Sequence, residues 1–517
     1  MTAGPAPLLR LSSAPGRWVL TAAVLGSAVT AVDSTVVGIA LPAIGHDFHM
    51  AVPSLQWVVG AYLLSLAGLL LVGGALGDRY GRRRVFVVGV VWFALASLVC
   101  SAARSPEVLV AARALQGVGG ALLTPGSLAI LQASFDPDDR SRAIGAWSGL
   151  GGVGTAIGPF LGGFLIGAVS WRLIFLINLP LAVVVVAIAA RHVPETRDPG
   201  ATGRIDVLGA ALVTGSLVGV TAGLIEAPAR GWTSGIVLGA LVGGAAGFVA
   251  FVLREGRARH PMLPLGVFRS LQFSATNAVT FVVYAALGGA LFLLPVQLEQ
   301  VSHYSPIEAG TSLLPLTVVM LVFSARSGAL AARIGPRLQM AVGPVVVGAG
   351  LVLLRMIDAR GDYLTEVLPG VLVLAVGLAV TVAPLTSTAL SSAPMERAGV
   401  ASAVNNDVAR AGGLIAVALL PAVSGLTGHS YLHPAAFAAG FRHAVVFAGS
   451  ASALGGVLAG ALIRNPGAGR GAPARARLAA PVPMCCALEA TPIGHGVDGQ
   501  SADAGAGAVA AAAVGTA

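Results

Sequence analysis

The chain reads as a succession of long apolar runs separated by short stretches that carry the charge. Runs free of Asp, Glu, Lys and Arg cover residues 48–77, 85–103, 114–135, 143–171, 173–190, 207–225, 231–253, 270–298, 309–325, 338–354, 367–395, 411–441 and 443–463. A further run at 18–41 is interrupted only by Asp33. A helix needs about 20 apolar residues to cross a bilayer, so the pattern predicts fourteen membrane-spanning helices. The fourth is expected to begin near Pro106 and so to contain Arg113. The first 31 residues have the basic start of a signal peptide and a cleavage-like Val29-Thr30-Ala31. Their apolar stretch continues to Leu41, however, and reads better as a span. From about residue 465 the chain turns to Ala, Gly and Pro and reads as a disordered tail.

Composition agrees. Of 517 residues, 56% are hydrophobic and only 10% charged, with a mean hydropathy of +0.86. Soluble domains carry roughly 25% charged residues, so an ordinary soluble enzyme and a disordered protein are both excluded. The 69 glycines suit close helix contacts in lipid. The net charge of +9 comes from 31 Arg and no Lys, and its distribution speaks for topology rather than nucleic acid. With the N-terminus inside, twenty-two arginines fall in inner segments and six in outer ones, Arg104, Arg172, Arg230, Arg355, Arg360 and Arg442. That bias places both termini in the cytoplasm. Arg113, Arg326 and Arg410 remain inside predicted spans. Cys100, Cys485 and Cys486 form neither a disulfide framework nor a metal pattern. The absence of Lys amid so much Ala, Gly and Val suggests a GC-rich bacterial genome.

An internal repeat organises the spans. Gly74-Ala-Leu-Gly-Asp-Arg-Tyr-Gly-Arg-Arg83 matches Gly328-Ala-Leu-Ala-Ala-Arg-Ile-Gly-Pro-Arg337 at six of ten positions. The first joins spans 2 and 3 and the second joins spans 10 and 11, a shift of eight. Two six-helix halves, spans 1–6 and 9–14, with spans 7–8 inserted between them, produce that shift. Repeated halves mark secondary transporters, whose substrate site lies between the halves near the midplane.

Polar residues inside the spans carry the candidate chemistry. Asp33 lies in Val32-Asp-Ser-Thr-Val-Val-Gly-Ile-Ala-Leu-Pro42. A carboxylate there costs a few kcal/mol unless solvated, paired or protonated, which makes it a candidate proton carrier; the bland alternative is a wet carboxylate near the outer mouth. Arg113 opens Arg113-Ala-Leu-Gln-Gly-Val-Gly-Gly120, which includes Gln116. At about 1.5 Å per residue, Asp33 lies roughly 12 Å and Arg113 about 10 Å below the same face, so the two sit at similar depth. In the loop motif, Gly77 and Gly81 permit a tight turn, while Asp78, Arg79, Arg82 and Arg83 can form ion pairs or simply anchor topology. In Gly149–Gly163, the glycines Gly154, Gly158 and Gly162 recur every fourth residue, and Pro159 and Gly163 follow on. That stripe permits close helix approach. In span 13, Asn405, Asn406, Asp407 and Arg410 interrupt an apolar helix. Asp407 and Arg410 stand at i, i+3 and are expected either to pair or to form a second polar site for substrate or proton. Glu226 is expected at the interface and Glu299 in an exposed loop. His46, Asp47 and His49 form only a weak metal signal. No nucleotide-binding motif, nucleophile elbow or zinc spacing is visible, so an ion gradient is the expected driving force.

Taken together, these motifs resemble the major facilitator superfamily, and within it the fourteen-span drug:proton antiporters, over roughly residues 18–463. Trp171-Arg-Leu-Ile-Phe-Leu-Ile-Asn-Leu-Pro180 and Tyr304-Ser-Pro-Ile-Glu-Ala-Gly310 also look like that family. The resemblance implies a conformational-switch loop at Gly74, Asp78, Arg79, Gly81, Arg82 and Arg83. It implies proton coupling through Asp33 and Arg113, and an antiporter helix motif at Gly154, Gly158, Pro159, Gly162 and Gly163. Gln116, Asn406, Asp407 and Arg410 become candidate substrate-binding residues. Gly38, Glu299, His303 and Asp407 depart from the family pattern. The expected architecture is an all-α polytopic membrane protein with a 6+2+6 arrangement. Its parts are a cytoplasmic N-terminus (1–17), an N-terminal bundle (18–190), a two-helix insert with linkers (191–271), a C-terminal bundle (272–463) and a cytoplasmic tail (464–517). The expected function is proton-coupled export of a small lipophilic or cationic compound across a bacterial inner membrane, by a monomer without cofactor or metal. An uptake symporter for a nutrient, or an exporter of an endogenous metabolite, is the alternative.

Overall fold

A computed structural model of the chain describes residues 8–198, 206–258, 261–392, 398–428, 430 and 433–465. The expected tail, with Cys485 and Cys486, lies outside the described residues, as do Arg204, Arg259 and Arg397. In order, the helices are α1 (Ala14–Asp47), α2 (Val52–Tyr80), α3 (Arg82–Ser101), α4 (Pro106–Ser134), α5 (Pro137–Ala168), the short α6 (Leu173–Leu176) and α7 (Asn178–His192). There follow α8 (Val207–Arg230), α9 (Gly235–Arg257), α10 (Leu271–Val296), the short α11 (Pro306–Thr311), α12 (Leu314–Ile334), α13 (Pro336–Leu353), α14 (Leu368–Ser391), α15 (Ala398–Val423) and α16 (Pro434–Leu462). Among the described residues thirteen helices, counting α6–α7 and α11–α12 as one each, are long and apolar enough to cross a membrane. In α5 the charged residues Asp138, Asp139, Arg140 and Arg142 sit in the first turns, and the charge-free run continues from residue 143 to the end of the helix.

Local sequence sets the helix ends. Ser13, Ser105, Asp206 and Ser270 accept a hydrogen bond from the first turn of α1, α4, α8 and α10. Ser305 and Glu308 close a reciprocal capping box on α11. The repeated motif folds alike in both copies. Gly81 and Gly335 occupy corresponding positions with φ of 113° and 84°, a backbone region in which a side chain is strained. Each amide closes the preceding helix, to Gly77 and Ala331 respectively. The next helix then starts at once, and its second residue donates its amide to a side chain of the segment leaving the same bundle. Arg83 bonds Glu195 at 3.1 Å and Arg337 bonds Asn465 at 3.0 Å.

Packing follows the repeat. α1 lies against α5 and α7, and α4 against α2 and α3; in the second half α13 lies against α14 and α16, and α10 against α15 and α16. α8 and α9 form a hairpin joined where Ser216 donates to the Gly244 carbonyl at 2.7 Å, and α8 runs beside α2 and α15. At the end expected outside, one apolar core runs across both halves, from Leu41, Leu55 and Phe175 to Leu294, Leu420 and Phe441. At the opposite end the cores are separate. Val19, Phe86 and Leu131 belong to one, and Val279, Met340 and Ile463 to another.

Candidate functional site

The site begins with α1, a helix that presents two faces. Val32, Thr35 and Val36 meet the glycine stripe of α5, whereas Asp33, one step round, points into the bundle formed with α3, α4 and α7. Its side chain is wholly buried and 2.7 Å from the equally buried Arg113, which α4 supplies. Gln116, one turn further along α4, completes a closed triangle. Its Oε1 accepts from Arg113 Nη1 at 2.6 Å and its Nε2 donates to Asp33 Oδ1 at 2.8 Å. Arg113 Nε donates to the Val58 carbonyl at 3.2 Å, and its guanidinium lies over the Tyr62 ring at 4.3 Å. Ser97 of α3 accepts from Gln116 at 2.8 Å, and Asn178 of α7 reaches both Ser97 and Asp33. Withdrawing two ions from water costs several kcal/mol each, offset only when such partners are in place. Gln116, expected on the substrate side, is therefore placed inside the Asp33 cluster. Ser97 and Asn178 carried no assigned role in the sequence.

A cavity of about 650 Å³ opens between the halves at the end expected inside. Ser34, next to Asp33 on α1, and Thr30, one turn before it, line its wall together with Leu70 and Gly74 of α2, Thr124 of α4, Trp147 of α5, and Asn406 and Arg410 of α15. The switch loop borders the opening. Asp78 pairs with Arg82 at 2.8 Å, while Arg83 and Arg84 both stand 3.6 Å from Glu195. Arg79 lies 5.4 Å from the ring of Tyr80.

The α5 stripe performs two tasks. A methyl group at Gly162 would press on Val36 at 2.9 Å and one at Gly158 on the side chain of Thr35, whereas one at Gly154 would just touch Ala28 at 3.4 Å. Gly163 instead faces the Pro306 carbonyl, while Gly310 faces that of Pro159, so α5 and α11 touch backbone to backbone across the two halves. A second closure lies nearby. Pro421 has no N–H, which leaves the Val417 carbonyl without its helical donor. The buried Gln56 of α2 donates to it at 2.7 Å and to the Ala418 carbonyl at 3.0 Å. Sequence reading missed Gln56, although a glutamine inside an apolar run, with a proline in the facing helix, was a usable signal.

Two readings are corrected, the pairing alternative for Asp407 and Arg410 and the exposed-loop reading of Glu299. Asp407 and Arg410 do not pair. Arg410 is turned to the cavity, whereas Asp407 keeps a buried Oδ1 without a hydrogen-bond partner. Their neighbour Asn405 instead ties α15 to Asn277 and Thr280 of α10. Glu299 is not an exposed loop acid; it lies in a π-helical turn at Gln297–Val301 with Oε1 buried. Asp47 belongs to no ligand group with its neighbouring histidines. Trp171 and Arg172 engage its carboxylate at 3.0 and 2.9 Å, and no metal-competent group of three occurs among the described residues. Glu226 pairs with Arg230 at 2.7 Å.

Comparison with known proteins agrees with this architecture. The chain is 37% identical over 401 residues to the tetracenomycin C resistance and export protein of Streptomyces glaucescens, covering 78% of this chain and 74% of that one. It is 36% identical over 466 residues to the puromycin resistance protein of Streptomyces alboniger, covering 87% and 92%. The methylenomycin A resistance protein of Bacillus subtilis is 32% identical over 451 residues, covering 86% and 94%. Among solved structures, a bacterial homologue of the human lysosomal transporter Spinster, inward-facing and unoccupied, superposes with a TM-score of 0.61. It is 17% identical and covers 87% of this chain and 97% of that one. The sequence matches the profile of the Major Facilitator Superfamily over residues 23–418. The chain belongs to the major facilitator superfamily of membrane transporters.

Proposed function

We propose that this protein exports small-molecule drugs from the bacterial cytoplasm in exchange for protons. The named resistance and export functions of its relatives support the cargo and direction. The observation that carries the coupling is the sealed Asp33–Arg113–Gln116 triangle, beside which Ser34 and, one turn from Asp33, Thr30 line the cavity wall. The protein is a multi-pass one of the inner membrane, and the arginine bias supports cytoplasmic termini. Counting α5 as a span gives fourteen in a 6+2+6 arrangement, with α8 and α9 as the insert. One chain supplies both sides of the cavity, so a monomer suffices.

In the proposed cycle the inward-open form, with its outer end closed, is the state after proton release. Asp33 is ionised and held by Arg113, and the cavity is available to a lipophilic substrate. Rocking the halves opens the outer end. A proton arriving there neutralises Asp33, and Arg113 retains Gln116 Oε1, the Val58 carbonyl and the Tyr62 ring as partners. Return to the inward state releases the proton. No cofactor enters this cycle.

The test uses proteoliposomes with an acidic interior. Drugs added outside, among them puromycin, are expected to release internal protons with the wild type and not with Asp33→Asn. Equal release by both proteins removes Asp33 from the coupling path, and silence from both, with folded protein, removes the exchange itself.

A further inference from the structure

We propose that Arg410 makes this cavity selective for compounds bearing an anionic oxygen, such as a phenolate, enolate or carboxylate, on an apolar body. The inference rests on reading the cavity as the export site; of the lipophilic or cationic compound expected from sequence it keeps the apolar body and replaces the cation by an acid.

The charges on the wall are few. Among the described residues they are Asp78, Arg82 and Arg410. Asp78 and Arg82 neutralise each other at 2.8 Å. Arg410 has no ion pair or hydrogen bond among the described residues, and its Nε is buried without an acceptor. The nearby acids do not compensate it on the wall. Asp33 is wholly buried and taken by Arg113, and Asp407, although within electrostatic reach of Arg410, is not part of the lining. A ligand cation therefore meets the Arg410 guanidinium and, among the described lining residues, no carboxylate but the paired Asp78. A ligand oxyanion meets the terminal N–H donors of a planar fork, in surroundings of low dielectric that strengthen the contact.

The remainder of the wall suits the rest of such a molecule. Asn406 stands one turn from Arg410 on the same face of α15 and places an amide on the wall. Leu70, Leu128, Trp147 and Met262 offer apolar surface opposite, and about 650 Å³ accommodates a drug-sized ring system.

Two xanthene dyes of opposite charge, fluorescein and rhodamine 6G, provide matched probes. Each is titrated by fluorescence anisotropy against the full chain in lipid nanodiscs, as wild type, Arg410→Gln and Arg410→Lys. The wild type is expected to bind fluorescein about tenfold more tightly than rhodamine 6G. Arg410→Gln is expected to abolish that preference without weakening rhodamine 6G, and Arg410→Lys, which keeps the charge, to retain part of it. Equal or tighter binding of rhodamine 6G, no saturable binding of fluorescein, or an unchanged fluorescein affinity in folded Arg410→Gln overturns the proposal. Should Arg410→Gln not fold, the wild-type preference and Arg410→Lys decide alone. Proton exchange measured on the same variants in proteoliposomes separates this inference from the functional reading. Exchange without an anion preference sinks only the inference, and an anion preference without exchange sinks only the export reading.

Discussion

Removing one partner of the Asp33–Arg113 pair strands the other charge where no water reaches it. A stranded buried charge costs about 3–5 kcal/mol, whereas removing both charges together is often close to neutral. Arg113→Ala is therefore expected to lower thermal stability in detergent by several kcal/mol. The double variant Asp33→Asn with Arg113→Gln should recover most of that loss while leaving substrate-driven proton movement absent. A double variant no more stable than Arg113→Ala would mean that the triangle is held by something other than its charges. At this scale the sequence was informative where a charge broke an apolar run. Asp33 and Arg113 stood out for that reason, and equal depth brought them together. Ser97 gave no such signal, because its hydroxyl also bonds the Phe93 carbonyl one turn back at 2.8 Å, a habit that lets serine sit in an apolar helix unnoticed. Asn178 was quoted within a motif but not given a partner, since spacing along one helix says nothing about which other helix it faces.

Helices meet across the two halves at backbone level, and small changes there should move the balance between inward and outward states. Gln56→Leu leaves the Val417 carbonyl, already deprived of its helical donor by Pro421, without any partner. An orphaned buried acceptor costs about 1–3 kcal/mol, all of it charged to the closed outer end. Spin labels at the outer ends of α2 and α15 are expected to report a larger separated population, and an unchanged distance distribution would show that the bond is not a latch. Gly163→Ala should act in the same direction from α5, because its methyl would meet the Pro306 carbonyl and the Ile307 Cα, backbone that cannot rotate aside. A cysteine placed near the outer ends of α5 and α11 should then label faster than in the parent protein. The element scale also shows where spacing misled. The i, i+3 rule placed Asp407 beside Arg410, but the cavity draws one side chain while the protein interior takes the other. Apolar runs located the helices well.

Across the whole molecule, charge asymmetry and the repeat made the architecture legible, because both are summed over many residues and survive local irregularity. Tertiary ties were not legible in the same way. Asp206 caps α8 while Arg254 of α9 donates to it at 2.8 Å. The hydrogen bonds from Arg254 hold its carboxyl below the usual carboxylate range. A lowered value means stability that is complete above the ordinary carboxylate range and is lost as acid carries the pH down through the lowered value. Asp206→Asn is accordingly expected to cost about 0.5–1 kcal/mol near neutral pH, modest because Arg254 is partly in solvent, and progressively less below about pH 4. A deficit that persists undiminished in acid would assign the loss to packing instead.

The ties at Arg83–Glu195 and Arg337–Asn465 have a further consequence. Each bundle fastens its own exit segment onto the start of its own third helix, so strain from whatever follows is not passed back into it. A unit closed in this way can be copied, and its copies joined by a loop or by a helical hairpin, without redesign of either. Cutting the chain between Asp198 and Asp206 and expressing the two pieces together should therefore yield a reassembled, working pair. On that view the hairpin of α8 and α9 is an exchangeable connector, free to diverge between lineages while the two machines it links keep their parts.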